Sequence, residues 1–243
     1  GRAWQEAGHL ARAQGDRAAA IAAFGRATRF NPALEASWRA LAELEQAAGR
    51  PTAAEAARAQ AERVARLPRE LVAVMHHLHE GRLLRAEEIC RHFLRANPRN
   101  VEGMRLLAQI GIKLGILDDA EFLLDSARAF EPDNIQVRLD YIDALRRRQK
   151  FAQARTEAEA LHARDPENPL FQSHLAIESM QTSDYDRAFE LFDAILAKLP
   201  GDPATLTSKG HALKTTGAQE DAVASYQAAI AAKPDHGDAW YAL

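Results

Sequence analysis

The chain has 243 residues, 31 basic and 34 acidic side chains, a formal net charge of −3 and 47% hydrophobic residues. It is too apolar for a disordered chain, and no apolar run approaches the roughly 20 residues a membrane-spanning helix needs. The even charge balance argues against a general nucleic-acid binder, which needs a basic surface to displace counterions. The single cysteine, Cys90, leaves neither an internal disulfide framework nor a cysteine-built zinc site. Gly1 to Leu10 carry no signal-peptide pattern and the first residue is not Met, so the sequence reads as an excised or processed cytoplasmic segment.

Three ladders run through the chain in one register. Pro98, Pro132, Pro166, Pro200 and Pro234 are each 34 residues apart. Ala20, Ala54, Ala86, Ala120, Ala154, Ala188 and Ala222 follow at steps of 34, 32, 34, 34, 34 and 34. Gly15, Gly49, Gly81, Gly115 and Gly217 each stand five residues before their alanine. A fixed period of this size is the mark of a repeat architecture.

Each period reads as two helices. In the clearest, Val101 to Leu114 is apolar at Met104, Leu107, Ala108, Ile110, Gly111 and Leu114, close to a 3.6-residue period. Gly115 ends that helix, because glycine accepts the left-handed conformation of a C-terminal cap. A second helix from about Asp118 to Phe130 turns Ala120, Leu123, Leu124 and Ala127 inward, and Glu131-Pro132-Asp133-Asn134 breaks the chain. The small residue at the Ala120 position allows two antiparallel helices to approach closely. The expectation is fourteen complete helices, a fifteenth partial one and no strand.

The pattern resembles the tetratricopeptide repeat (TPR), which sets Trp, Leu, Gly or Ala, Tyr, Ala, Phe, Ala and Pro at fixed points in 34 residues. Trp4, Gly8, Ala20, Phe24, Ala27 and Pro32 match in the first unit, and Leu206, Gly210, Ala222, Tyr226, Ala229 and Pro234 in the seventh. Leu175, Ala176, Ala188, Phe192 and Pro200 match in the sixth. A single array follows, with repeats at 1–34, 35–66, 67–100, 101–134, 135–168, 169–202 and 203–236 and a partial one at 237–243. Arg58 stands where the second repeat should carry an aromatic, and His77 in the tyrosine slot of the third. Two residues are missing near Pro68, which predicts a slightly altered packing between repeats two and three. Trp240 and Tyr241 are expected to cover the seventh repeat, and the unfinished ends to favour self-association.

The resemblance implies an all-α, right-handed superhelical solenoid whose concave side, lined by first helices, binds a partner protein or peptide. Groove-facing positions map to Arg39, Arg105, Gln109, Lys113, Asp143, Arg146, His174, His211 and Lys214. Their basic tendency points to an acidic partner segment docked on Arg105, Lys113 and Arg146. The Lys/Asn carboxylate clamp of chaperone-binding TPR proteins and the Asn ladder of sugar-transferring ones have no counterpart at these positions.

No nucleophile–base set, phosphate loop or cofactor motif is present, so the segment reads as non-catalytic, without cofactor or metal. His76, His79 and Glu80 share one helix face, but a third ligand is not evident, and Cys90 and His92 fall on the next helix. Cys90 instead fits a small buried core position. The Arg146-Arg147-Arg148 run closes a helix, where cations are favourable in any case. The competing reading is a non-catalytic repeat arm of a larger bacterial enzyme. The stretch Lys233 to Leu243 resembles the last repeats joined to bacterial sulfotransferase domains, and 25 arginines against 6 lysines suggest GC-rich bacterial coding.

Overall fold

A computed structural model describes residues 1–243 and contains fifteen α-helices and no strand. The helices gather into two compact units, Gly1–Pro132 and Asp133–Leu243, divided in the loop that closes the fourth repeat.

The first unit holds α1 (Arg2–Ala13), α2 (Arg17–Phe30), α3 (Glu35–Ala47), α4 (Pro51–Ala65), α5 (Arg69–His79), α6 (Leu83–Ala96), α7 (Val101–Leu114) and α8 (Leu117–Phe130). Consecutive helices pair as hairpins. Their starts are set by side chains that satisfy orphan N–H groups: Asp16 accepts from Ala19 N and Asn100 from Gly103 N. Their ends turn through the expected glycines, Gly115 at φ 78° among them. In the first hairpin a first-helix glycine meets a second-helix ring. A Cβ on Gly8 would lie 2.8 Å from the Phe24 ring, and Phe24 is fully buried.

The deletion near Pro68 changes the packing more than the sequence predicts. The α5 helix packs on α6 and α7 and scarcely on α4. Its C-terminal end instead meets the start of the chain. Arg2 Nε lies 3.5 Å from Glu80, and Asn31 Nδ2 is 3.0 Å from His76 Nδ1. Ala33, from the α2–α3 loop, joins Leu71, Val74, Leu78, Leu107 and Ile110 in one core cluster. Losing two residues rotates the following element by about half a turn of helix, so the face of α5 that should receive α4 points elsewhere.

The second unit holds α9 (Ile135–Arg147), α10 (Phe151–Arg164), α11 (Pro169–Gln181), α12 (Tyr185–Lys198), α13 (Pro203–Thr215), α14 (Gln219–Ala232) and the short α15 (Gly237–Ala242). Each helix packs on the next, and α13 also on α11 and α15. Asn134, Asn168, Asp184 and Asp202 cap α9, α11, α12 and α13. The glycine ladder skips two repeats, yet the backbone keeps its left-handed turn there: Gln149 sits at φ 58° and Ser183 at φ 62°. Arg155 spans the second of these turns, donating to Thr182 Oγ1 at 3.0 Å and Asp184 Oδ2 at 2.7 Å. The final hairpin closes on Ala239, which is fully buried. The expected cover by Trp240 and Tyr241 is not what forms. Tyr241 is 95% exposed, and Trp240 is mostly exposed with its Nε1 donating to Pro234 O at 2.9 Å. Six residues make under two helical turns, too few to bring both rings onto the array.

Candidate binding surfaces

The residues mapped to a groove divide between the units. In the first, Arg39 on α3 pairs with Glu35 at 2.5 Å on the exposed face of its own helix. Arg105 on α7 is not the open cation that the repeat register suggests. It is only 6% exposed, and its Nη1 lies 2.5 Å from Glu102 Oε2. Glu102 is also 3.9 Å from Arg63 on α4. The helix in which Arg105 sits is apolar nearly all round, so its guanidinium is desolvated and draws in the nearest carboxylate. Gln109 lies half-buried one turn further on, and Lys113 near the helix end is exposed.

In the second unit, Arg146 reaches from α9 to α11. Its Nε donates to Glu178 Oε1 at 2.6 Å, and its Nη2 is 2.5 Å from the same oxygen. Glu178 is fully buried, and its other oxygen has no hydrogen-bond partner. Burial pushes the Glu178 carboxyl above the usual range, and the Arg146 charge and hydrogen bond oppose that rise. Asp143 flanks the pair at 3.9 Å from Arg146 and accepts from Arg147 at 2.8 Å. His174 stands one turn before Glu178. Its ring is held below the ordinary imidazole range, first by burial and then by Arg146. On α13, His211 is exposed, with its Nδ1 3.1 Å from the hydroxyl of buried Tyr226. Lys214 is exposed and in no ion pair.

Glu178 is the residue that sequence reasoning passed over. An acid in mid-helix looks like solvated surface, and only its place between buried Gln172 and Ser179 neighbours marks it as interior. The histidine cluster disperses. His76 meets Asn31, His77 accepts from Arg82 Nε at 2.8 Å, and His79 lies beside Lys113. Cys90 is fully buried, donates to Gly103 O at 3.3 Å, and has its thiol pushed up to about 12 by burial. A thiol held that far from ionisation is a core side chain and not a nucleophile. The chemistry these faces offer is charge and hydrogen bonding toward another molecule.

The TPR-domain profile of cytochrome c-type biogenesis protein H matches residues 89–206, and tetratricopeptide-repeat profiles match 1–34 and 208–243. The chain is built of tetratricopeptide repeats. No curated protein matches its sequence. Among solved structures it is similar to a tetratricopeptide repeat protein from Parabacteroides merdae ATCC 43184, at 15% identity, TM-score 0.61, covering 100% of this chain and 98% of that one. It also resembles MamA from Desulfovibrio magneticus RS-1, at 12% identity, TM-score 0.59, covering 70% and 98%. YrrB, described as a TPR protein with an unusual peptide-binding site, aligns at 14% identity and TM-score 0.53, covering 90% and 96%. These likenesses establish the fold. No helix is long and apolar enough to cross a membrane.

Proposed function

We propose that the chain is a non-catalytic protein–protein interaction scaffold that holds a peptide or helix of a partner on the first helices of its repeats. The observation that carries this reading is the division of labour in the second unit. Its second helices spend Ala154, Ala188, Phe192, Ala222 and Tyr226 in the core. Its first helices bear Asp143, Arg146, His174, His211 and Lys214 at half-buried or exposed positions. The peptide-binding site named for YrrB supports the same reading by analogy. Because Arg39, Arg105 and Arg146 already have carboxylates, an acidic guest draws chiefly on Lys113 in the first unit and on His211 and Lys214 in the second.

The test is a photo-crosslinking amino acid at the exposed position 215, in the parent chain and in Lys214→Glu, used to recover partners from cell extract. A protein crosslinked at 215 in the parent and lost with Lys214→Glu supports the reading. Recovery that the substitution leaves unchanged removes it. A repeat arm of a larger enzyme, a sulfotransferase included, rests on the Lys233–Leu243 resemblance and is decided by the coding sequence beyond Leu243. The match to a cytochrome c-type biogenesis domain favours a periplasmic setting over the cytoplasmic one expected from the sequence, and fractionation of the tagged protein separates the two.

A further inference from the structure

The second helices of the first unit carry a site of another kind. Between α6 and α8, with α7 beneath, lies an open cleft of about 400 Å³ whose walls are Leu94, Pro98, Met104, Leu107 and Leu123. Two arginines, Arg91 and Arg95, stand at its edge. Their situations differ. Arg91 is spent internally, with Glu87 at 2.8 Å and Asp119 at 3.8 Å. Arg95 makes no ion pair, and its Nη2 lies 3.1 Å from the ring nitrogen Nδ1 of His92. Arg99, just past Pro98, faces the Phe130 ring at 5.8 Å and also lacks a carboxylate. The same two helices leave large apolar side chains in water: Leu84 is 73% exposed, and Phe122, next to the cleft residue Leu123, is 72% exposed.

We infer that this cleft docks an amphipathic acidic segment of a partner protein, one that offers a leucine- or phenylalanine-sized side chain with a carboxylate about one helical turn away. The open cleft has room for a leucine- or phenylalanine-sized side chain presented by a helix or strand that lies across its mouth. A basic segment meets Arg95 at the edge without a carboxylate to offset it and is repelled. A wholly apolar one would desolvate Arg95 without pairing it. A carboxylate at the mouth satisfies the guanidinium in the fork geometry that arginine favours. Exposed Phe122, next to Leu123 in sequence, adds apolar surface on α8. The walls come from α6 and α8, with Met104 and Leu107 of α7 at the floor, and none of them is among the residues named for the first-helix surface above, so the site does not depend on that reading.

The probe is a fluorescent helical peptide with leucine and glutamate one turn apart, beside a twin carrying lysine in place of glutamate, followed by fluorescence anisotropy on the whole chain. The acidic peptide should bind at least tenfold more tightly than its twin, with an affinity that falls as salt rises. Arg95→Glu lies on an exposed face and should weaken the acidic peptide about tenfold or more while gaining affinity for the lysine twin. Lys214→Glu should leave both unchanged, which separates failure of this site from failure of the first-helix surface. Equal binding of the two peptides, no binding of either, or an Arg95→Glu protein that holds the acidic peptide as tightly as the parent would overturn the proposal.

Discussion

Gly210→Ala probes a close approach of α13 and α14 in the second unit. An ideal Cβ on Gly210 would sit 2.4 Å from Tyr226 Cε1, 2.8 Å from Cδ1 and 3.0 Å from Cζ. Ordinary carbon contacts begin near 3.5 Å, so the ring or helix α13 must yield by about 1 Å. The ring has little freedom, because Tyr226 is fully buried and its hydroxyl is tied to His211. Overpacking of this kind costs roughly 1–3 kcal/mol. Alanine returns up to about 1 kcal/mol through its better helix propensity. The net expectation is a loss of about 1–2 kcal/mol. Gly25→Ala is the matched control: it is also in mid-helix, but nothing lies within 4 Å of its Cβ, so it should gain about 0.5–1 kcal/mol. Urea unfolding followed by far-UV circular dichroism measures both. Amide exchange in α13 and α14 locates the loss, since repeats open separately. Shrinking the ring in a Tyr226→Leu background should remove most of the Gly210→Ala penalty. A Gly210→Ala protein as stable as the parent, with Gly25→Ala stabilised as expected, would refute the close-packing account.

Four other outcomes follow from named contacts. Asn31 Oδ1 accepts from Ala33 N, which fixes its amide and makes His76 Nδ1 an acceptor; burial, then Arg2, His77 and Arg82, hold the His76 imidazole below its usual range. The unfolded chain therefore takes up this proton first, the stability from neutral His76 is present above about pH 6.5 and is lost as pH falls, and His76→Asn should flatten that part of a pH–stability curve. Arg146→Ala leaves Glu178 buried without its partner and should cost roughly 2–3 kcal/mol, toward the low end for a buried pair because Arg146 keeps some water contact, whereas Arg146→Ala with Glu178→Leu should recover much of the loss in thermal melts. Cys90 should react with a thiol reagent far more slowly in the folded chain than in urea, and equal rates would contradict its burial. Ser183→Gly removes a Cβ from a left-handed position and should raise the unfolding free energy by up to about 1 kcal/mol in urea melts, provided Arg155 keeps its bonds to Thr182 and Asp184.

The residue order alone carries the fifteen helices, their hairpin pairing and the identity of the core. A helix exists wherever its cap and its 3.6-residue apolar stripe are local, and Asn134, Gly115 and the alanine ladder are all read within one turn of where they act. Cys90 was legible in the same way, because its repeat position dictates burial before any contact is known. The left-handed turns at Gln149 and Ser183 follow from the period even where glycine is missing.

Long-range pairing decided the rest. Arg105 pairs with Glu102 three residues before it, but whether Arg146 faces a partner or an internal carboxylate depends on where Glu178 comes to lie, 32 residues away. The sequence marks Pro68 as irregular, but the face on which α5 lands depends on a rotation that propagates through the whole hairpin. That rotation brings His76 to Asn31, 45 positions away. The apolar cleft between α6 and α8 is likewise a gap among side chains from three helices, with no motif of its own. Helix formation is a sum of short-range preferences and can be read from neighbours in the chain. The fate of a charge or a cavity depends on which distant surface excludes water from it, and packing alone determines that.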